Sequence, residues 1–279
     1  MVPPIAAADF RVNPVNSLRG LRIGCVRYLN SRPLIEGLSQ VRLEHPSVLA
    51  AALRAGELDA ALVPVFEVLR APAGRYRLVD GVGICSDGPV YSVFVAHEAE
   101  LRDVDAVVAD PASLTSVHLM QVLWRRVLKR PLKVLAEEDS TPAQRDAARL
   151  LIGNQAIQHR IQSEQARPSL RFWDLGEAWS GWAGLPFVYA VWVLRGGMEP
   201  SVAAAAAEDF RSVAARGLLE RDRIAAENGE FPEALAKRYL NGSIRFHVGA
   251  REKRGLACFG SELASAGLLD APASELQWV

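Results

Sequence analysis

Short apolar runs separated by stretches of helical spacing recur along this chain, and that alternation narrows the fold more than any other feature. The run 21–26 (LRIGCV) follows Gly20, and the next residues turn the chain, with Pro33 placed for the first turn of a helix. Residues 46–55 carry Val48, Leu49, Ala52 and Leu53 at helical spacing and stop at Gly56; 58–63 (LDAALV) then reads as a second strand ended by Pro64. Strand–helix–strand order of this kind predicts a mostly parallel sheet covered by helices. A third extended run covers 90–96. After a polar segment at 97–103 a new cycle begins, with strand 106–109, loop 110–113, helix 114–128, strand 132–135, helix 142–149, strand 150–153 and a short helix from Asn154. Residues 171–173 and 185–194 read as strands around a helical patch at 175–182, and beyond Gly196-Gly197 the pattern is helical to the end, including 201–228, 232–240 and 251–266.

Two such cycles in 279 residues predict an α/β protein of two lobes with a cleft between them. The expected division is an irregular extension at 1–20, a first lobe of 21–97 plus 196–279, and a second lobe of 98–195. Ligands of open α/β sheets sit beyond the carboxyl ends of the strands, so the loops after Val26, Ala109 and Ile152 are the first places to look.

Composition excludes several classes. Lysine plus arginine and aspartate plus glutamate both number 32, so the formal net charge is zero. A chain without basic excess has no general means of neutralising nucleic-acid phosphates or of holding an anionic membrane surface, and neither partner is expected. Cys25, Cys85 and Cys258 are widely spaced and form no CxxC pair. His45, His97, His118, His159 and His247 share no metal-ligand spacing, so neither a disulfide framework nor a metal site is expected. The start of the chain lacks the basic and continuous apolar pattern of a secretory signal. The longest apolar run, 185–194, is about half of what a membrane helix requires. A cytoplasmic protein is expected. No phosphate loop, GxSxG elbow or HExxH motif occurs, and Gly81 and Gly83 alone make no dinucleotide fingerprint.

What remains is a set of small polar residues at strand-to-helix turns: Asn30 and Ser31, then Ser113, Thr115 and Ser116, then Asn154. Helix N-termini present unpaired N–H groups and positive dipole ends, which suit a carboxylate, and neighbouring hydroxyls add donors. Each residue taken singly is equally well an ordinary N-cap. Trp173, Trp179, Trp182 and Trp192 form a patch that reads as core or lobe interface.

Five strings in order, RIGCVRYLNSRPL (22–34), DGPVYS (87–92), SLTS (113–116), LIGN (151–154) and DLGEAW (174–179) followed by GLPFVYAVW (184–192), resemble the menaquinone-biosynthesis family of the futalosine route. The resemblance implies a two-lobed fold like the class II periplasmic solute-binding proteins. It also implies elimination of water from chorismate, a small dicarboxylate, to give 3-[(1-carboxyvinyl)oxy]benzoate, without cofactor or metal. By the same resemblance Asn30 is the active-site asparagine, and Ser31, Ser92, Ser113, Thr115, Ser116 and Asn154 line the substrate. Two positions differ from the family pattern: Leu114 stands where arginine is usual and Asn154 where aspartate is usual. The rival readings are a non-catalytic small-anion binding protein of the same fold and the sister 1,4-dihydroxy-6-naphthoate synthase activity. A homodimer is compatible with all three.

Overall fold

The structure is a computed structural model that describes residues 17–270 and 273–279, the side chains of Asp146 and Gln165 excepted. Of the extension expected at 1–20, residues 1–16 lie outside the described residues, and 17–20 form a turn. Ten strands follow in chain order: β1 (Ile23–Val26), β2 (Val41–Glu44), β3 (Ala60–Pro64), β4 (Tyr76–Ser86), β5 (Val93–His97), β6 (Ala106–Val108), β7 (Lys133–Leu135), β8 (Ala148–Ile152), β9 (Arg171–Asp174) and β10 (Phe187–Arg195). They form two five-stranded sheets, ordered β2-β1-β3-β10-β4 and β7-β6-β8-β5-β9.

Each sheet joins a parallel part to an antiparallel one. In the first, β1 runs parallel to β2 and β3, and β10 lies antiparallel between β3 and β4. In the second, β6 is parallel to β7 and β8, and β5 is antiparallel to β8 and β9. The central place of β10 follows from its sequence, since FVYAVWVL is apolar throughout and buried on both faces. Strand β2 (VRLE) alternates and stays half exposed, as an edge strand does.

This pairing assigns 93–97 to the second sheet and 187–195 to the first. On the strand evidence, therefore, the lobe division falls within 87–92 and within 175–186, not at 97 and 195. Strands are owned by the sheet that satisfies their backbone groups, and a boundary read from polar segments cannot see that. The two chain crossings meet at Asp174. Its carboxylate caps the helix Leu175–Ala183 through the Gly176 and Glu177 N–H groups, and it accepts from Val90 N (3.1 Å) and Tyr91 N (2.7 Å) in the other crossing.

The chain end was expected to be wholly helical, but it also supplies β-structure. Leu78 N–H donates to the Gln277 carbonyl and Val279 N–H to that of Leu78, while Gly83 and Cys85 N–H groups donate to Phe246 and Arg245 carbonyls. The exposed side of β4 is thereby covered along its length. Behind the first sheet Trp179, Phe187 and Phe259 pack edge to face, and Trp192 stacks on Phe210 at 4.2 Å. Trp179 and Trp192 are fully buried core residues. Among the described residues no helix is long and apolar enough to cross a membrane, and no cluster of metal-ligating side chains occurs.

Candidate functional site

The carboxyl ends of β1, β3, β6 and β8 face one partly open cavity between the sheets. Val26, Ile84, Val90, Val93, Ile152 and Tyr189 make much of its wall, and among the described residues no charged side chain lines it. Polar groups enter from four places: Tyr28 and Asn30 beyond β1, Ser92 before β5, Thr115 and Ser116 beyond β6, and Gly153 beyond β8.

Asn30 sits in the 3₁₀ turn Leu29–Leu34 and is 8% exposed. Its Nδ2 donates to the Tyr239 hydroxyl at 2.9 Å, and Tyr239 in turn donates to Ser92 Oγ at 2.8 Å. Asn30, Tyr239 and Ser92 thus form one chain of hydrogen bonds, with Ser92 only 1% exposed. The direction of this chain leaves Asn30 Oδ1 with no partner and Ser92 with its own hydrogen still to give. Burial raises the Tyr239 pKa, so that phenol remains a neutral donor at physiological pH. Tyr239 begins the π-helical turn Tyr239–Ser243 in the C-terminal helical region, 209 residues beyond Asn30, and no motif in the sequence marks it.

The remaining predicted residues divide. Thr115 and Ser116 open the helix Thr115–Leu123, whose first N–H groups have no intrahelical acceptors. Thr115 Oγ1 accepts from Phe66 N at 3.1 Å, a bond across the lobes, and His118 on the same helix stacks on Phe66 at 3.6 Å. Ser113 does not line the cavity: its Oγ accepts from Val117 N at 3.0 Å and caps that helix. Ser31 is fully buried and donates to backbone carbonyls of Val26 and Tyr28, which fixes the turn and removes its hydroxyl from any ligand. Gly153 takes a left-handed conformation (φ +63°), and a Cβ there would lie 2.6 Å from the Tyr28 ring. Only glycine lets the Tyr28 ring lie against this turn.

Asn154, expected against substrate, instead joins the lobes. Its Oδ1 accepts from Leu29 N–H at 2.8 Å, and its Nδ2 donates to Glu230 Oε2 at 2.8 Å. One amide carries both bonds because it has an acceptor and a donor end.

Comparison with known proteins fits this geometry. The family model described as menaquinone biosynthesis matches residues 21–265. The chain belongs to the menaquinone biosynthesis family. A chorismate dehydratase of Thermus thermophilus is 28% identical over 285 residues, covering 91% of this chain and 98% of its own. Among solved structures, AF1704 of Archaeoglobus fulgidus is similar at a TM-score of 0.68, with 15% identity over 89% of this chain and 98% of its own. The alkanesulfonate-binding protein SsuA of Xanthomonas axonopodis is similar at 0.59, with 16% identity over 91% and 95%. The fold is the two-lobed periplasmic-binding-protein fold, with the cleft that the strand pattern predicted.

Within the family pattern, the two departures now have physical surroundings. Leu114 lies in the apolar part of the cavity wall, so no guanidinium stands in the wall at that position. Asn154 is matched to Glu230: an aspartate there would lose the donated hydrogen bond and set two carboxylates together. Asn154→Asp is expected to lower the unfolding midpoint by about 2–4 °C at neutral pH, and adding Glu230→Gln is expected to recover it. Thermal melts of the single and double variants check this; equal midpoints for wild type and Asn154→Asp would rule out the clasp.

Proposed function

We propose that the protein is a chorismate dehydratase, a carbon–oxygen lyase producing 3-[(1-carboxyvinyl)oxy]benzoate. The observation that carries this reading is the Asn30–Tyr239–Ser92 chain in a cavity whose wall, among the described residues, holds no charged side chain. A site of this kind positions a substrate and supplies neutral hydrogen bonds, but it offers no acid or base of its own. Asp110, a buried carboxyl beyond β6, is raised in pKa by burial, yet it bonds Ala112 N and Gln155 Nε2 and lies outside the cavity wall.

Dehydration of chorismate suits such a site because the ring becomes aromatic. The proton on the ether-bearing carbon passes to the substrate's own enolpyruvyl carboxylate, and its electron pair becomes a ring π bond. The neighbouring C–O bond breaks, and the departing hydroxide takes that proton and leaves as water. The protein must hold the hydroxyl and the hydrogen in this relation, a task of orientation. Asn30 Oδ1, free to accept, accepts a hydrogen bond from the ring hydroxyl, while the Ser92 hydroxyl donates to the same oxygen as negative charge develops on it. The N–H groups at the start of the helix Thr115–Leu123 receive a carboxylate. Similarity to the Thermus enzyme over nearly the whole length of both chains supports the same assignment.

Incubation of pure protein with chorismate, followed by proton NMR, tests the proposal. New aromatic signals are expected. Line broadening without product would instead make the protein a binder of small anions, and the absence of any effect would overturn the substrate assignment.

A further inference from the structure

Tyr28 stands within the first of the family strings, yet neither the site residues implied by that resemblance nor the Asn30 chain gives it a role in the cavity. Its side chain lies against the strand-to-helix turn at Gly153 and lines the cavity. The residue is 8% exposed, and its buried hydroxyl has no hydrogen-bond partner. A buried polar group without a partner is costly, and nine-tenths of this side chain is already withdrawn from water. Such a group persists where a ligand completes it. The form of the group also restricts the ligand atom. Burial and the nearby Asp110 raise the Tyr28 pKa, so the phenol keeps its hydrogen and serves as a donor. The other unpartnered polar atom in the wall, Asn30 Oδ1, can only accept. The two therefore call for different ligand atoms, an oxygen without hydrogen at Tyr28 and a hydroxyl at Asn30.

We infer that Tyr28 is a substrate-anchoring residue whose hydroxyl donates to a carboxylate oxygen of the bound acid, in a wall where no cationic side chain stands among the described residues. This rests on the dehydratase reading and adds to it a second carboxylate contact, on the side of the cavity formed by the first sheet. A hydrogen bond from a neutral phenol to a carboxylate is charge-assisted, and its loss weakens binding roughly 10- to 100-fold.

Tyr28→Phe removes the oxygen alone and keeps the ring on Gly153. Steady-state turnover of chorismate and thermal melts of the free protein are measured on wild type and variant side by side. KM is expected to rise about ten-fold or more with kcat changed by less than about three-fold, and the melting midpoint is expected to stay or rise, because an unpartnered buried hydroxyl has been removed. An active wild type with an unchanged KM in the variant overturns the Tyr28 assignment alone. So does a fall in the midpoint with KM unchanged, which marks the hydroxyl as structural. A wild type that neither binds nor converts chorismate overturns the functional reading, and the Tyr28 assignment with it.

Discussion

Replacing Asn30 by alanine is expected to lower kcat for chorismate by roughly 100- to 1,000-fold while KM moves by less than about ten-fold. The asymmetry follows from what the residue touches. Asn30 Nδ2 is committed to Tyr239, so its contact with substrate is through Oδ1 alone, at the hydroxyl that leaves. Carboxylate binding is carried by other groups and survives the change. The contact acts by orientation: it fixes the leaving oxygen, and with it the Ser92 donor, in one relation to the ring while the C–O bond breaks, where the alternative is solvent. Steady-state kinetics with chorismate decides the matter, and a kcat within a few-fold of wild type would remove Asn30 from the reaction. Asn30→Asp is a useful companion: it keeps the shape but gives an oxygen in place of the nitrogen that donates to Tyr239, and a comparable loss is expected.

The second large effect is expected at Tyr239, which reaches the reaction through its neighbours. Tyr239→Phe removes the acceptor of the Asn30 amide and the donor to Ser92 at once. The Asn30 N–H, buried and unpaired, then costs about 1–3 kcal/mol, and the midpoint of unfolding is expected to fall by several degrees. Activity is expected to fall about 10- to 100-fold, chiefly in kcat, because Asn30 and Ser92 remain but are no longer held in one polarity. A double-mutant cycle separates this from simple loss of stability: with Asn30 already alanine, removing the Tyr239 hydroxyl is expected to cost little further activity. Additive losses would show that Tyr239 acts independently of Asn30.

Both experiments concern a hydrogen-bonded chain only partly legible in the sequence. Asn30 and Ser92 lie in strings of recognisable order, and the turns beyond β1, β6 and β8 follow from apolar runs that end at small polar residues. Tyr239 offers no such signal. It stands in a helical stretch of ordinary composition, and only the packing of the C-terminal helices over the first sheet brings its hydroxyl to Asn30. Ser31, Ser113 and Asn154 show the opposite case. Their types and positions suit ligand contact, but each hydroxyl or amide is used by the backbone or by the other lobe. A polar side chain at a turn has two uses, and its residue type does not say which one the fold requires.

Local pattern was enough to establish that this is an α/β chain with two cycles of strand and helix, because burial of a sheet or a helix imposes a period on apolar residues wherever it occurs. It was enough, too, to place β1, β3 and β10, whose apolar runs can be buried only inside a sheet. Strand β4 escaped it: Asp80, Gly81 and Gly83 interrupt the pattern, and the strand exists because β10 on one side and residues 245–248 and 277–279 on the other satisfy its backbone. The ownership of β5 and β10, the clasp at Asn154 and the alignment of Asn30, Tyr239 and Ser92 depend likewise on partners 51 to 209 residues distant. Hydrophobic periodicity is a property of neighbours along the chain, whereas hydrogen-bond pairing is settled only when distant segments compete for the same donors and acceptors in the folded protein.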